Sequence, residues 1–300
     1  MKDLIGIKEL SRAQIEEILN TAKAFKEVLQ RDIKKVPTLR GKTAINLFFE
    51  PSTRTRTSFE LAEKRLSLDV LNFSVPTSAV VKGETLYDTL KTIEAYNVDY
   101  IVIRHSSSGA AKFIADHTEA SVINAGDGIN EHPTQALLDA FSILEIKGRI
   151  DGLKIAIVGD ILHSRVARSN YYLLSKFDTE IRFVGPPTFL PSHPPENVKV
   201  YYRLRDGIKD ADVIIMLRIQ LERQKSGFIP SLKEYYHFWG LKKEDLSFVR
   251  DDAILMHPGP MNRGVEVSTE VVNDPRAIIL KQVTNGIATR MAVIYLLRRS

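Results

Sequence analysis

The segment Phe48-Phe49-Glu50-Pro51-Ser52-Thr53-Arg54-Thr55-Arg56-Thr57-Ser58-Phe59 places five hydroxyls and two arginines directly after an apolar run. That density suits a phosphoryl group. Ser and Thr donate as neutral groups, an Arg fork donates twice and carries charge, and a helix opening at this point adds backbone N–H groups at the positive end of its dipole. An N-cap with solvated neighbours would account for Ser52 or Thr53, but it leaves the second arginine and the other three hydroxyls unexplained. Three more arginines stand where strands are expected to stop: Arg104 after 99–103, Arg165 after the stretch Gly159-Asp160-Ile161-Leu162-His163-Ser164, and Arg218 after 212–217. A guanidinium matches a carboxylate or phosphate in plane and keeps its charge near neutral pH. A single one would read as surface charge, and Arg218 does share its run with Glu222 and Arg223. Three at strand ends point to anionic ligands.

Such residues need a scaffold that brings strand ends together. The first element is a helix: Ser11 and Gln14 fit a capping box, Glu16 and Glu17 are expected in its first turn, and Ile15, Ile18, Leu19, Ala22, Phe25 and Leu29 form one apolar stripe. Strands are expected at 43–49, 70–74, 100–104 and 122–124, with a helix after residue 52 carrying Phe59, Leu61, Ala62 and Leu66, and others at 85–96 and 109–117. A second series begins with Lys154-Ile155-Ala156-Ile157-Val158-Gly159-Asp160 and continues at 180–184, 198–202, 212–217 and 253–256, with the proline-rich stretch from Gly185 to Pro195 as a surface loop. A helix from Pro133 to about residue 146 lies between the two series, and 286–298 repeats apolar residues at helical spacing. Alternating strands and helices predict an α/β protein with two parallel-sheet domains of similar size joined by a connecting helix. Three hundred residues suit two such domains. The boundaries are set at 1–149, joined by the C-terminal helix 286–300, and 150–285. Ligands of open parallel sheets bind outside the carboxyl ends of strands, so the active site is expected in the interdomain cleft.

Composition narrows the function classes. The chain is 44% hydrophobic and 26% charged, and no apolar run approaches the roughly 20 residues of a membrane helix. The first residues lack a secretory signal, and there are no cysteines, which removes disulfides, thiolate metal sites and a cysteine nucleophile and fits a cytoplasmic protein. A net charge of +5 without a basic tract argues against nucleic acid, as the absence of apolar spans argues against a membrane. Val158-Gly159-Asp160 offers one glycine where a dinucleotide turn needs three, and the seven histidines show no H-E-x-x-H spacing. No cofactor and no metal are therefore expected.

Ser52-Thr53-Arg54-Thr55-Arg56 resembles the carbamoyl phosphate signature of the aspartate/ornithine carbamoyltransferase family. The resemblance continues, in the family's order, through Lys82-Gly83-Glu84-Thr85, Arg104-His105, His132-Pro133-Thr134-Gln135, Gly159-Asp160, Arg218-Ile219-Gln220-Leu221-Glu222-Arg223 and His257-Pro258-Gly259-Pro260. It implies that Ser52, Thr53, Arg54, Thr55 and Arg104 hold the phosphate, and that Thr55, Arg104 and His132 approach the carbamoyl oxygen. Gln135 would bind the carbamoyl amide, with Pro258 and Gly259 offering backbone carbonyls. A lone histidine is more often structural; the Gly126-Asp127-Gly128 loop before His132 and the matched Pro-Thr-Gln after it favour function here. By the same resemblance Arg165 takes an α-carboxylate, Arg218 and Gln220 take a β-carboxylate, and Lys82 joins them, Ser78 and Lys82 coming from an adjacent chain of a homotrimer with shared active sites. Ornithine-specific members carry His-Cys-Leu-Pro where this chain reads His257-Pro258-Gly259-Pro260, together with an acidic-adjacent motif for a cationic side chain, so the aspartate branch is expected. Many relatives carry leucine at the position of Gly259; a backbone role survives that change, with a more mobile loop. The implied reaction moves the carbamoyl group of carbamoyl phosphate to the α-amine of L-aspartate, in pyrimidine synthesis. A non-catalytic relative would show decay at some of these positions, and none is seen. A regulatory chain or dihydroorotase is left open as a further partner.

Overall fold

A computed structural model describes residues 1–74, 85–219 and 229–297. Two compact units divide the chain: residues 1–141 with 283–300, and residues 142–282.

The first unit opens with α1 (Arg12–Leu29), followed by β1 (Thr43–Phe48), α2 (Thr53–Arg65), β2 (Asp69–Ser74), α3 (Leu86–Glu94), β3 (Tyr100–His105), α4 (Ala110–Ala115) and β4 (Ser121–Asp127). Then α5 (Pro133–Lys147) runs across the boundary at 141/142. The capping box forms, with Ser11 Oγ accepting from the Gln14 N–H at 3.2 Å and Gln14 Oε1 accepting from the Ser11 N–H at 2.8 Å. That cap makes Arg12 the first helical residue, so Glu16 and Glu17 fall beyond the first turn, which holds no acid. Glu16 pairs with Arg12 at 2.8 Å instead.

The strands form one parallel sheet in the order β2-β1-β3-β4. β1 and β3 are buried along most of their length, as strands covered on both faces must be. Ile45, Leu47, Ile101 and Ile103 pack with Leu90, Ile93, Ala111 and Ile114 of α3 and α4. Each such aliphatic side chain stabilises the unit by about 1.5–3 kcal/mol on full burial. On the opposite face of β1 from Ile45 and Leu47, Asn46 Nδ2 donates to Glu63 Oε2 at 2.8 Å, tying α2 to β1.

The second unit contains β5 (Lys154–Val158), α6 (Arg165–Leu174), β6 (Glu180–Val184), β7 (Val198–Tyr201), α7 (Leu204–Ile208), β8 (Val213–Met216), α8 (Leu232–Trp239), β9 (Ile254–Met256) and α9 (Thr269–Val272). The last helix, α10 (Ile279–Leu297), crosses back into the first unit at 282/283. The sheet is parallel, ordered β7-β6-β5-β8-β9. The Gly185–Pro195 stretch is less of a surface loop than its prolines suggest. Pro187–Phe189 form a 3-10 turn, and Phe189 is fully buried against Ile219 and Tyr235.

In an open parallel sheet, ligands collect where the strand order reverses direction. The orders place that point between the carboxyl ends of β1 and β3 in one unit and of β5 and β8 in the other. Among the described residues no helix is long and apolar enough to cross a membrane.

Candidate active site

In the first unit, the hydroxyl-rich segment and Arg104 meet at the switch point. α2 opens at Thr53 with Ser52 as its N-cap, and the Ser52 side chain makes no capping bond. The first helical hydrogen bond runs from the Arg56 N–H to the Ser52 carbonyl at 3.1 Å. Thr55 is buried, Ser52 half-buried, and Thr53 and Arg54 exposed. Arg54 and Arg56 set two cations at the positive end of the helix dipole, where acids are the stabilising choice. A sequence that breaks a local rule in this way marks a place held for another purpose. Across the sheet, Arg104 sits in register with Phe48, and its carbonyl accepts from the Phe49 N–H at 2.9 Å. Its guanidinium donates to the Ala125 carbonyl at 3.2 Å and lies 3.0 Å from Glu50 Oε2. The fork is thereby aimed from three consecutive strand ends, β1, β3 and β4.

His132 and Gln135 come from the next connection. At the end of β4, Asp127 organises the loop that follows: its carboxylate accepts from Asn124 Nδ2 at 2.8 Å, the Glu131 N–H at 3.1 Å and the Gly109 N–H at 2.7 Å. His132 follows, buried, and its carbonyl receives the Gln135 N–H at 3.0 Å as α5 begins with Pro133. Gln135 Nε2 donates to Asp139 Oδ1 at 2.9 Å. Beside Arg104, His105 accepts the Ser107 N–H on Nδ1 at 2.9 Å. Its partial burial lowers its basicity, although Glu50 and Asp127 pull the other way.

In the second unit, Arg165 and Arg218 stand at the switch point of β5 and β8. Ser164 caps α6, its Oγ accepting from the Ala167 N–H at 3.2 Å, and this puts Arg165 at the first helical position. Arg165 is only 2% exposed, again a cation at the wrong end of a dipole. Gly159 links the two strand ends. Its φ of +127° favours glycine, and a Cβ there would meet the Leu217 Cβ at 3.1 Å. The Leu217 N–H donates to the Val158 carbonyl at 2.8 Å, so Arg218 leaves β8 directly beside the end of β5. Ile219, buried with Phe189 and Tyr235, anchors the other side of that arginine.

Glu266 ties this turn to the segment after β9. It is fully buried; Oε1 accepts from the Ile219 N–H at 2.9 Å, Oε2 accepts from the Asn262 N–H at 2.6 Å, and His257 Nε2 lies 3.8 Å away. Burial alone would raise its proton affinity, but His257 and these donors outweigh burial and hold the carboxyl below its ordinary range. His257 Nδ1 accepts the Gly259 N–H at 2.9 Å, and Gly259 has φ +65°, the left-handed region that favours glycine.

The structure thus gathers Ser52, Thr53, Arg54, Thr55, Arg104, His132 and Gln135 in one unit, and Arg165, Arg218, Pro258 and Gly259 in the other. Ser78, Lys82 and Gln220 lie outside the described residues. Sequence reasoning missed Glu50, Asp139 and Glu266. Only Asp139 had a signal, its spacing of four from Gln135 on one helix face.

Comparison with known proteins follows the same division. Residues 2–145 match the sequence model of the aspartate/ornithine carbamoyltransferase carbamoyl-P binding domain, and residues 151–297 match that of the Asp/Orn binding domain. The aspartate carbamoyltransferase catalytic subunit of Syntrophomonas wolfei is 57% identical over 297 residues, covering 99% of this chain and 95% of the relative. The catalytic subunit of M. jannaschii aspartate transcarbamoylase superposes with a TM-score of 0.87 at 39% identity, covering 100% of this chain and 98% of that one. Aspartate transcarbamoylase from Trypanosoma cruzi, in complex with carbamoyl phosphate and aspartate, superposes with a TM-score of 0.88 at 30% identity, covering 98% and 96%.

Proposed function

This chain belongs to the aspartate/ornithine carbamoyltransferase family, and from that footing we propose that it transfers the carbamoyl group of carbamoyl phosphate to the α-amine of L-aspartate, giving N-carbamoyl-L-aspartate and phosphate for pyrimidine synthesis. The observation that carries the phosphate half is the cationic, hydroxyl-rich start of α2 facing Arg104 across the β1/β3 switch point. The dicarboxylate half rests on Arg165 and Arg218 at the β5/β8 switch point.

Ser52, Thr53, Arg54, Thr55 and Arg104 bind the phosphate. Thr55, Arg104 and His132 meet the carbamoyl oxygen, where negative charge develops as the neutral amine adds to the carbon. Well-aimed donors at such an oxygen are each worth about 2.7–4 kcal/mol. Holding two anions for direct attack contributes up to about 7–11 kcal/mol more, chiefly entropic. The tetrahedral intermediate then expels phosphate, which accepts the amine proton. Arg165 takes the α-carboxylate, and Arg218 and Gln220 the β-carboxylate. The carbonyls of Pro258 and Gly259 receive N–H groups of the amine and the carbamoyl group. Ser78 and Lys82 complete the site of a neighbouring chain in a cytoplasmic homotrimer.

Incubating the protein with labelled carbamoyl phosphate and either amino acid tests the assignment. Label should appear in carbamoyl-aspartate, and transfer to ornithine at a comparable rate would overturn it.

A further inference from the structure

Gln135 and Asp139 lie one turn apart on α5, 7% and 0% exposed. Gln135 Nε2 donates to Asp139 Oδ1 at 2.9 Å. A glutamine amide can be turned either way, and its two ends carry opposite hydrogen-bonding character. An ionised carboxylate only accepts, so Asp139 can be satisfied only by the NH2 end, which turns Oε1 away from it.

A buried carboxyl would ordinarily tend to keep its proton, and would then also tolerate the reverse orientation. Arg290 of α10 opposes that tendency. It is 4% exposed, donates to Ser58 Oγ at 2.9 Å and to the Gly286 carbonyl at 3.0 Å, and stands 4.9 Å from the Phe59 ring centre. Burial brings its pKa down to about 10, with the Asp139 charge acting to raise it. It therefore remains cationic near neutral pH and favours the ionised form of Asp139. The orientation of Gln135 is thus set by its bond to Asp139, whose charge Arg290 favours from a second helix.

We infer that Asp139 is a positioning residue: it fixes the Gln135 carboxamide with its oxygen toward the ligand, and so selects a transferable group that carries an N–H donor. The inference rests on the placement of Gln135 against the carbamoyl amide made under the proposed function. A carbamoyl group presents NH2 to that oxygen, whereas an acetyl group of nearly the same shape presents a methyl and forfeits the bond. Leaving a buried acceptor unsatisfied is the more effective half of such discrimination.

The test uses the intact protein with three ligands: carbamoyl phosphate as substrate, and acetyl phosphate and inorganic phosphate as inhibitors against it. Q135A should lower the preference for carbamoyl over acetyl phosphate by roughly three- to tenfold, the range of one net hydrogen bond. D139N, which lets the amide turn, should lower it comparably, with inorganic phosphate inhibiting as in the wild type. Unchanged preference in Q135A would remove Gln135 from the carbamoyl site and with it the reading underneath. Lost preference in Q135A but not in D139N would overturn the role of Asp139 alone. Parallel weakening of all three ligands in D139N would mark a merely structural residue and would likewise overturn its positioning role. Should D139N fail to fold, the carbon–oxygen and carbon–nitrogen bond lengths of the Gln135 amide in an atomic-resolution crystal structure of the wild type decide the matter: Oε1 facing Asp139 refutes the inference.

Discussion

At the scale of single residues, Arg54 and Arg165 are cations placed where helix dipoles do not favour them, and this separates their contribution to binding from any contribution to folding. Arg54 is exposed in the first turn of α2, so Arg54→Ala should leave the folded state intact. Activity should fall tenfold to a hundredfold, because charge-assisted hydrogen bonds to phosphate are worth about 1.5–3 kcal/mol. Near-normal turnover at saturating carbamoyl phosphate would remove Arg54 from the site. Arg218 offers the complementary experiment. It belongs to the other unit, so Arg218→Ala should weaken aspartate binding by tenfold or more while calorimetry finds carbamoyl phosphate binding within about twofold of wild type. Equal losses for both ligands would contradict the allocation of the two anions. The arginines and hydroxyls were legible in the sequence because neither capping nor solvation requires so many of them directly after an apolar run. Glu50 and Glu266 were not. Glu50, half-buried against Arg104, and Glu266, a buried acid that accepts backbone N–H groups, each look in sequence like any solvated acid until the turns that hold them are known.

At the scale of elements, the strands could be read from their apolar runs, whereas structure and expectation part where buried polar residues and exposed apolar ones reverse the pattern. β4 was expected to stop at 124 but continues to Asp127, because Asn124 and Asp127 are buried and bonded to one another. α10 begins at Ile279, seven residues before the expected start at 286. Its first turns expose Leu280 and bury Gln282, whose side chain accepts the His257 N–H at 3.0 Å. That arrangement inverts an amphipathic stripe, so periodicity could not find it. The same kind of polar burial yields a prediction at α2. Glu63 is fully buried, with Asn46 as its hydrogen-bond partner, and burial raises its pKa from 4.5 to about 7. Folding therefore takes up a proton. The stability it confers is complete below about pH 4.5 and is lost as pH rises through about 7. At about 1.36 kcal/mol per tenfold change in proton affinity, the whole effect is about 3 kcal/mol. Denaturant midpoints at matched protein concentration should fall between pH 5.5 and 8.5 for the wild type, and the fall should be smaller for Glu63→Gln. Identical slopes would show that another group sets the pH dependence.

At the scale of the whole molecule, the proposed sharing of sites between chains makes a prediction that no property of one chain can imitate. If Lys82 serves a neighbour while Arg54 serves its own chain, Lys82→Ala and Arg54→Ala homotrimers should both be nearly inactive. Unfolding and reassembling them together produces mixed trimers. Around a closed threefold ring containing both kinds of chain, one junction always sets an intact Lys82 beside an intact Arg54, giving about one native site per mixed trimer. Random assembly makes about three-quarters of the trimers mixed, so roughly a quarter of wild-type activity should return by the same symmetry count. Arg54→Ala mixed with His132→Ala is the control, because both residues lie in the same unit of one chain. No junction can complete a site from those two defective chains, and activity should stay low. Recovery in the first mixture alone requires a residue that reaches across an interface. If that mixture stays inactive while labelled chains demonstrably exchange, Lys82 acts within its own chain or takes no part in catalysis, and the shared-site arrangement is wrong.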